Sequence, residues 1–90
     1  MSDQALTVSE WLYDGAVALQ NGDRARAQEL LLKVVEVDEE NVEAWLWLSG
    51  AVDTLEDQQT ALENVIAIDP TNAYARQGIE WLQQTGRAWG

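Results

Sequence analysis

Along most of this chain apolar residues recur at spacings of three and four, the signature of helices with one buried face. Leu30, Leu31, Val34, Val35 and Val37 form one such face. Ala61, Leu62, Val65, Ile66 and Ile68 form a second, and Ala44, Trp45, Leu48, Ala51, Val52 and Leu55 a third between them. Strict alternation is missing, and one proline with six glycines is too little turn chemistry for a domain of many hairpins. The pattern predicts an all-α fold.

Punctuation divides the pattern into five helices. Thr7-Val8-Ser9-Glu10 fits a capping box, in which hydroxyl and carboxylate each satisfy an orphan N–H. The first helix is expected to start there and run to about Gln20, stopping at Asn21-Gly22, residues suited to a left-handed cap. Asp23 then caps a second helix ending near Val37. After the acidic turn Asp38-Glu39-Glu40, Asn41 caps a third that reaches about Asp53. A fourth, from roughly Leu55 to Ala67, ends before Asp69-Pro70, because the residue ahead of proline disfavours the helical region. Thr71 or Asn72 caps a fifth, closed by Thr85-Gly86, and residues 86–90 read as a frayed tail.

The chain also repeats itself. A shift of 34 aligns Trp11-Leu12 with Trp45-Leu46, Tyr13 with Trp47 and Ala16 with Gly50. Further along, a shift of 31 aligns Leu31 with Leu62, Val34 with Val65, Val35 with Ile66, Val37 with Ile68, Asp38 with Asp69 and Asn41 with Asn72. The difference implies a three-residue deletion, expected around the Asp53–Glu56 turn; Asp57, 34 after Asp23, leaves a shorter fourth helix as the alternative. Continuing the 31 shift turns Trp45 into Arg76 and Ser49 into Glu80. Polar residues there suit a terminal cap rather than a third repeat.

Helical hairpins of this period with W-x-x-x-G, a later alanine and a closing D-P-x-N resemble the tetratricopeptide repeat family. The matching residues are Trp11, Gly15, Gly22-Asp23, Ala27, Leu31, Val34 and Asp38, then Trp45, Leu48, Ser49, Leu62, Val65 and Asp69-Pro70-Thr71-Asn72. Asp14 departs from the family's usual leucine, Glu39 from its proline, and Ala18 and Val52 from a common tyrosine. The resemblance implies a single domain of two hairpins plus a cap: repeats over about 8–41 and 42–72, and a capping helix over about 73–85. Independently, Gly15 and Ser49 lie one turn after their tryptophans, where a small side chain lets helix backbones approach, and Ala27 plays the matching part on the second helix.

Charge and composition narrow the function. Sixteen acids against five bases leave a net charge of −11, which repels nucleic acid and anionic membrane surfaces and attracts basic partners. The start, Met-Ser-Asp-Gln, lacks the basic region and apolar stretch of a secretory signal. A cytoplasmic setting and a native N-terminus at Met1 are therefore expected, although the abrupt end after Trp89-Gly90 suits a portion of a longer chain. No histidine and no cysteine occur, so imidazole bases, thiolate nucleophiles and thiolate zinc sites are excluded. The acidic turns have neither the glycine nor the distant glutamate of an EF-hand loop. No enzyme activity, metal or cofactor is expected.

The resemblance implies that the first helix of each hairpin lines a concave groove that receives a partner segment. By register the lining is Ser9, Leu12, Tyr13 and Ala16, then Glu43, Leu46, Trp47 and Gly50, then Tyr74, Gln77 and Trp81. The family's carboxylate-clamp members carry lysines, arginines and asparagines on these faces, and none stands at these positions. An apolar, acid-rimmed groove suits a basic or amphipathic protein segment. Trp11 and Trp45 read as core. Trp47 lies about 200° round the helix from Trp45, so it faces either a partner or a neighbouring helix, and Trp81 poses the same choice. Trp89 is either disordered or packed back. The alternative function is a self-associating structural subunit that uses Trp47, Trp81 or the tail.

Overall fold

A computed structural model of the chain describes residues 3–89, with side chains from Thr7 to Gln84. Among these residues the structure is all-α, with helices α1 (Asp3–Gln20), α2 (Arg24–Val37), α3 (Val42–Ala51), α4 (Leu55–Ile68) and α5 (Ala73–Trp89). Consecutive helices pack on each other through short turns, and α1 also touches α3. Two layers follow, α1, α3 and α5 in one and α2 and α4 in the other. The extents of 48 × 28 × 17 Å fit this: the shortest is about two helix layers thick.

Local chemistry sets most helix ends. Asp23, Asn41, Thr54 and Asn72 each turn a side-chain oxygen onto the N–H three residues ahead, on Arg26, Ala44, Asp57 and Ala75 respectively. That satisfies one of the donors a helix start leaves orphaned. At the end of α1, Gly22 has φ 85°. Its N–H donates to the Leu19 carbonyl and that of Asp23 to the Ala18 carbonyl, the paired closure of a Schellman motif. Of Thr71 and Asn72, it is Asn72 that caps α5.

The repeat is visible in the turns. Asp38 and Asp69, 31 residues apart, end α2 and α4 with nearly the same backbone angles, φ −133° and −134°, ψ 85° and 86°. Asn41 donates its N–H to the Asp38 carbonyl, as Asn72 does to that of Asp69. Four departures from the sequence reading are informative. First, α1 starts at Asp3, so Thr7–Glu10 lies inside a helix; Gln4, Ala5 and Leu6 all favour helix, and Val8 is held against Val34, Val35 and Ala44. Second, the missing three residues come out of α3 rather than the turn that follows it. α2 and α4 both have 14 residues, the turns before them both have three, and from the aligned positions Val8 and Val42 onward α1 has 13 residues and α3 only 10. Third, α5 runs on through Gly86 to Trp89; the Trp89 side chain lies outside the described residues. Fourth, Val37 and Leu55 from the apolar stripes are exposed at helix ends.

Burial follows the small residues. Ala27, Ala44, Ala51 and Ala75 are fully inaccessible, as are Leu31, Val34 and Val65. Gly15 is the tightest point of the first hairpin: a Cβ there would sit 2.9 Å from Leu31 Cγ. Gly78 does the same for α5, where a Cβ would come within 2.7 Å of Leu62 Cδ1. Trp45 joins the whole core, touching the clusters around Leu31, around Val34 and around Val65. Its Nε1–H donates 2.8 Å to the Glu39 carbonyl, which anchors the α2–α3 turn and satisfies the ring's polar atom.

Candidate interaction groove

Helices α1, α3 and α5 lie side by side, and depressions open between them. The first, about 370 Å³, lies between α1 and α3 and is lined by Ser9, Leu12, Tyr13, Ala16, Glu43 and Trp47. The α1 contributors fall at intervals of three, one and three, a single helical stripe. The second, about 540 Å³, lies between α3 and α5, with Leu46, Trp47 and Ser49 on one wall and Tyr74 and Gly78 on the other. Gln58 and Leu62 of α4 floor it, and Glu43 borders it as well. Each is large enough for a bulky side chain.

Glu43 and Trp47 border both depressions. They stand one turn apart on α3, at i and i+4, so they form a ridge between the two. Trp47 resolves the choice left by its position: it packs against the cluster of Ala18, Ala27, Leu31, Leu48 and Ala51, and it walls the groove as well. Trp11 is half-buried against Val34, Val35 and Ala44, with Lys33 Nζ 5.6 Å from its ring centre. That places a cation over the ring face.

Of the residues expected in the groove, Ser9, Leu12, Tyr13, Ala16, Glu43, Leu46, Trp47 and Tyr74 line these depressions, and Gly50, Gln77 and Trp81 do not. Gly50 is exposed, and a Cβ there would meet only Leu19 of α1, at 3.6 Å. Gln77 and Trp81 are also exposed, on α5. Ser49, Gln58, Leu62 and Gly78 were not anticipated. Gln58 had a signal, since it stands 31 after Ala27 and puts an amide where the first hairpin has a methyl. Gly78 had one too, as a small residue one turn before Leu82 of the core.

The electrostatics of the groove are one-sided. Tyr13 and Tyr74 are 70% and 79% exposed. The expected acid rim narrows to Glu43, the carboxylate that borders both depressions. Glu43 is exposed, with no hydrogen bond or ion pair to another described residue. No described basic side chain lines either depression. Arg24 pairs with Asp53 at 3.6 Å and Arg26 with Glu29 at 2.9 Å, Lys33 lies over Trp11, and Arg76 lines a separate depression with Ile66, Pro70, Ile79, Glu80 and Gln83. Among the described residues no group of three acidic, histidine or cysteine side chains is placed to hold a metal. None of the described helices is long and apolar enough to cross a membrane. In comparisons with known proteins, no family model and no curated protein matches the chain.

Proposed function

We propose that this chain is a tetratricopeptide-type interaction module that takes a basic, amphipathic segment of another protein across the face formed by α1, α3 and α5. The observation that carries the reading is the groove: two adjoining apolar depressions, walled by the part-buried Trp47 and the exposed rings of Tyr13 and Tyr74, in a strongly acidic molecule whose described cations line neither of them. Apolar walls supply affinity at about 25 cal/mol for each Å² buried. The acidic field speeds encounter with a cation and rejects an anion. Support for the repeat family comes from the W-x-x-x-G positions, the D-P-x-N closure and the matched turns at Asp38 and Asp69. With no histidine or cysteine in the chain, binding rather than catalysis is the function we assign, and a cytoplasmic setting is part of the proposal.

The test removes groove walls without disturbing the core. Tyr13→Ser and Tyr74→Ser change exposed rings, one in each depression, and each should alter stability by less than about 0.5 kcal/mol. Peptides selected on the wild-type chain from a phage-displayed random library should shift the backbone amide signals of α1, α3 and α5. They should bind more weakly to each variant. Peptides that shift signals of α2 or the α4–α5 turn instead would place the binding surface elsewhere. Trp47→Ala is a poorer probe, because its ring also packs on the core.

A second reading is favoured by Trp81, which is 54% exposed on α5: two copies could associate through it. Mutual repulsion between molecules of charge −11 opposes that. Sedimentation equilibrium near physiological salt is expected to show a 10 kDa monomer. A dimer at micromolar concentration that Trp81→Ser abolishes would establish self-association instead.

A further inference from the structure

Resting on the groove reading just given, we infer that Glu43 is its specificity-determining residue, selecting segments that carry a lysine or arginine between two apolar anchors. Three observations converge. Glu43 borders both depressions, so one carboxylate stands beside whatever fills either. It has no hydrogen-bond or ion-pair partner among the described residues, so its charge is not committed within the molecule. It also shares a ridge with Trp47, one turn away on α3. A ligand that drops one apolar side chain into each depression must therefore cross α3 between them, beside the carboxylate and the indole.

The chemistry at that crossing selects a cation. An ammonium or guanidinium there meets a carboxylate on one side and an aromatic ring on the other, and both attract it. A ligand carboxylate at the same place meets Glu43 directly and the net charge of the whole chain behind it. Because Glu43 is exposed, its pairing is screened by solvent and adds little affinity. Its effect lies in register and in the exclusion of acidic segments, which is how charges at accessible interfaces discriminate between partners.

The experiment selects from the phage-displayed random peptide library in parallel on the wild-type chain and on Glu43→Lys, at near-physiological salt. Peptides from the wild type should carry a lysine or arginine flanked on both sides by apolar residues. Peptides from Glu43→Lys should keep the apolar pair and exchange the cation for an acid. A synthetic wild-type-selected peptide should lose about threefold in affinity on Glu43→Gln, and more on Glu43→Lys. The variant removes only a small part of the total charge, so indiscriminate attraction to an acidic protein would enrich basic peptides on both chains alike. The same apolar pair with the same cation on both would overturn the role of Glu43 and leave the groove reading standing. Enriched peptides whose binding ignores Tyr13→Ser and Tyr74→Ser as well would overturn both.

Discussion

Three glycines that look equivalent in the sequence have different tasks. Gly22 is needed for its backbone: at φ 85° an L-residue suffers a Cβ clash, costing about 1–2 kcal/mol. Gly22→Ala should lower the thermal midpoint by several degrees, which melting followed by circular dichroism will measure. Gly15 and Gly78 are needed for space, but the space differs. At Gly15 the obstruction is Cγ of the fully buried Leu31, which has nowhere to go. At Gly78 it is the Cδ1 end of Leu62, a side chain that floors the open depression and can turn into it. Alanine gains about 1 kcal/mol over glycine from helix propensity, while overpacking costs about 1–3 kcal/mol. Gly15→Ala should therefore destabilise the protein in urea, and Gly78→Ala should be close to neutral. A larger loss at Gly78 would mean that Leu62 is locked. Gly15 was legible from its spacing to Trp11, whereas Gly78 was not, because its contact lies on another helix.

Helix ends and helix faces answer to different forces. Asp23, Asn41 and Asn72 were legible because a cap acts within one turn of chain. The Thr7–Glu10 box failed for the complementary reason: capping residues favour a start without requiring one, and the good helix formers before them carry α1 back to Asp3. The three-residue deletion illustrates the same division. Alignment located it to within a turn, but only packing determined that α3 would shorten and the loop keep its length. Gln28 on α2 supports the shortened end by donating 2.6 Å to the Ala51 carbonyl, a group no longer helix continues past. Helix α5 turns polar residues outward where the repeat register has an apolar pair. Trp45 and Leu46 on α3 touch the cluster around Leu62 and Val65 of α4, and their counterparts 31 residues on are Arg76 and Gln77, both exposed. Restoring the apolar pair with Arg76→Trp and Gln77→Leu should uncap the array, and sedimentation velocity should then show concentration-dependent association at micromolar protein. A variant that stays monomeric would mean that the polar face is not what ends the stack.

For the whole molecule, charge sets the conditions of stability. With net charge −11, like charges crowd each other in the folded state, and salt relieves that repulsion. Salt also weakens favourable pairs, but the two ion pairs among the described residues, Arg24–Asp53 and Arg26–Glu29, are more than half exposed on both sides and are worth little. Repulsion is the larger effect. Raising sodium chloride from about 20 mM to about 500 mM, where screening is nearly complete, should raise the thermal midpoint; a fall would mean that the pairs matter more than the repulsion.

The amino-acid order by itself determined the five helices, most of their ends, the repeat and the core stripes, since each depends on contacts within a few residues or on strict periodicity. Through the family resemblance it also gathered Tyr13, Glu43, Trp47 and Tyr74 into one expected groove. The tertiary structure alone decided how that groove is shaped: that Gly50 lies away from it and Trp81 beyond it, that Leu62 and Gln58 of α4 form its floor, and that Glu43 and Trp47 divide it in two. Periodicity assigns a residue to a face of its own helix. How far neighbouring helices approach, and what shows between them, depends on side-chain volumes far apart in the chain, such as Gly78 against Leu62.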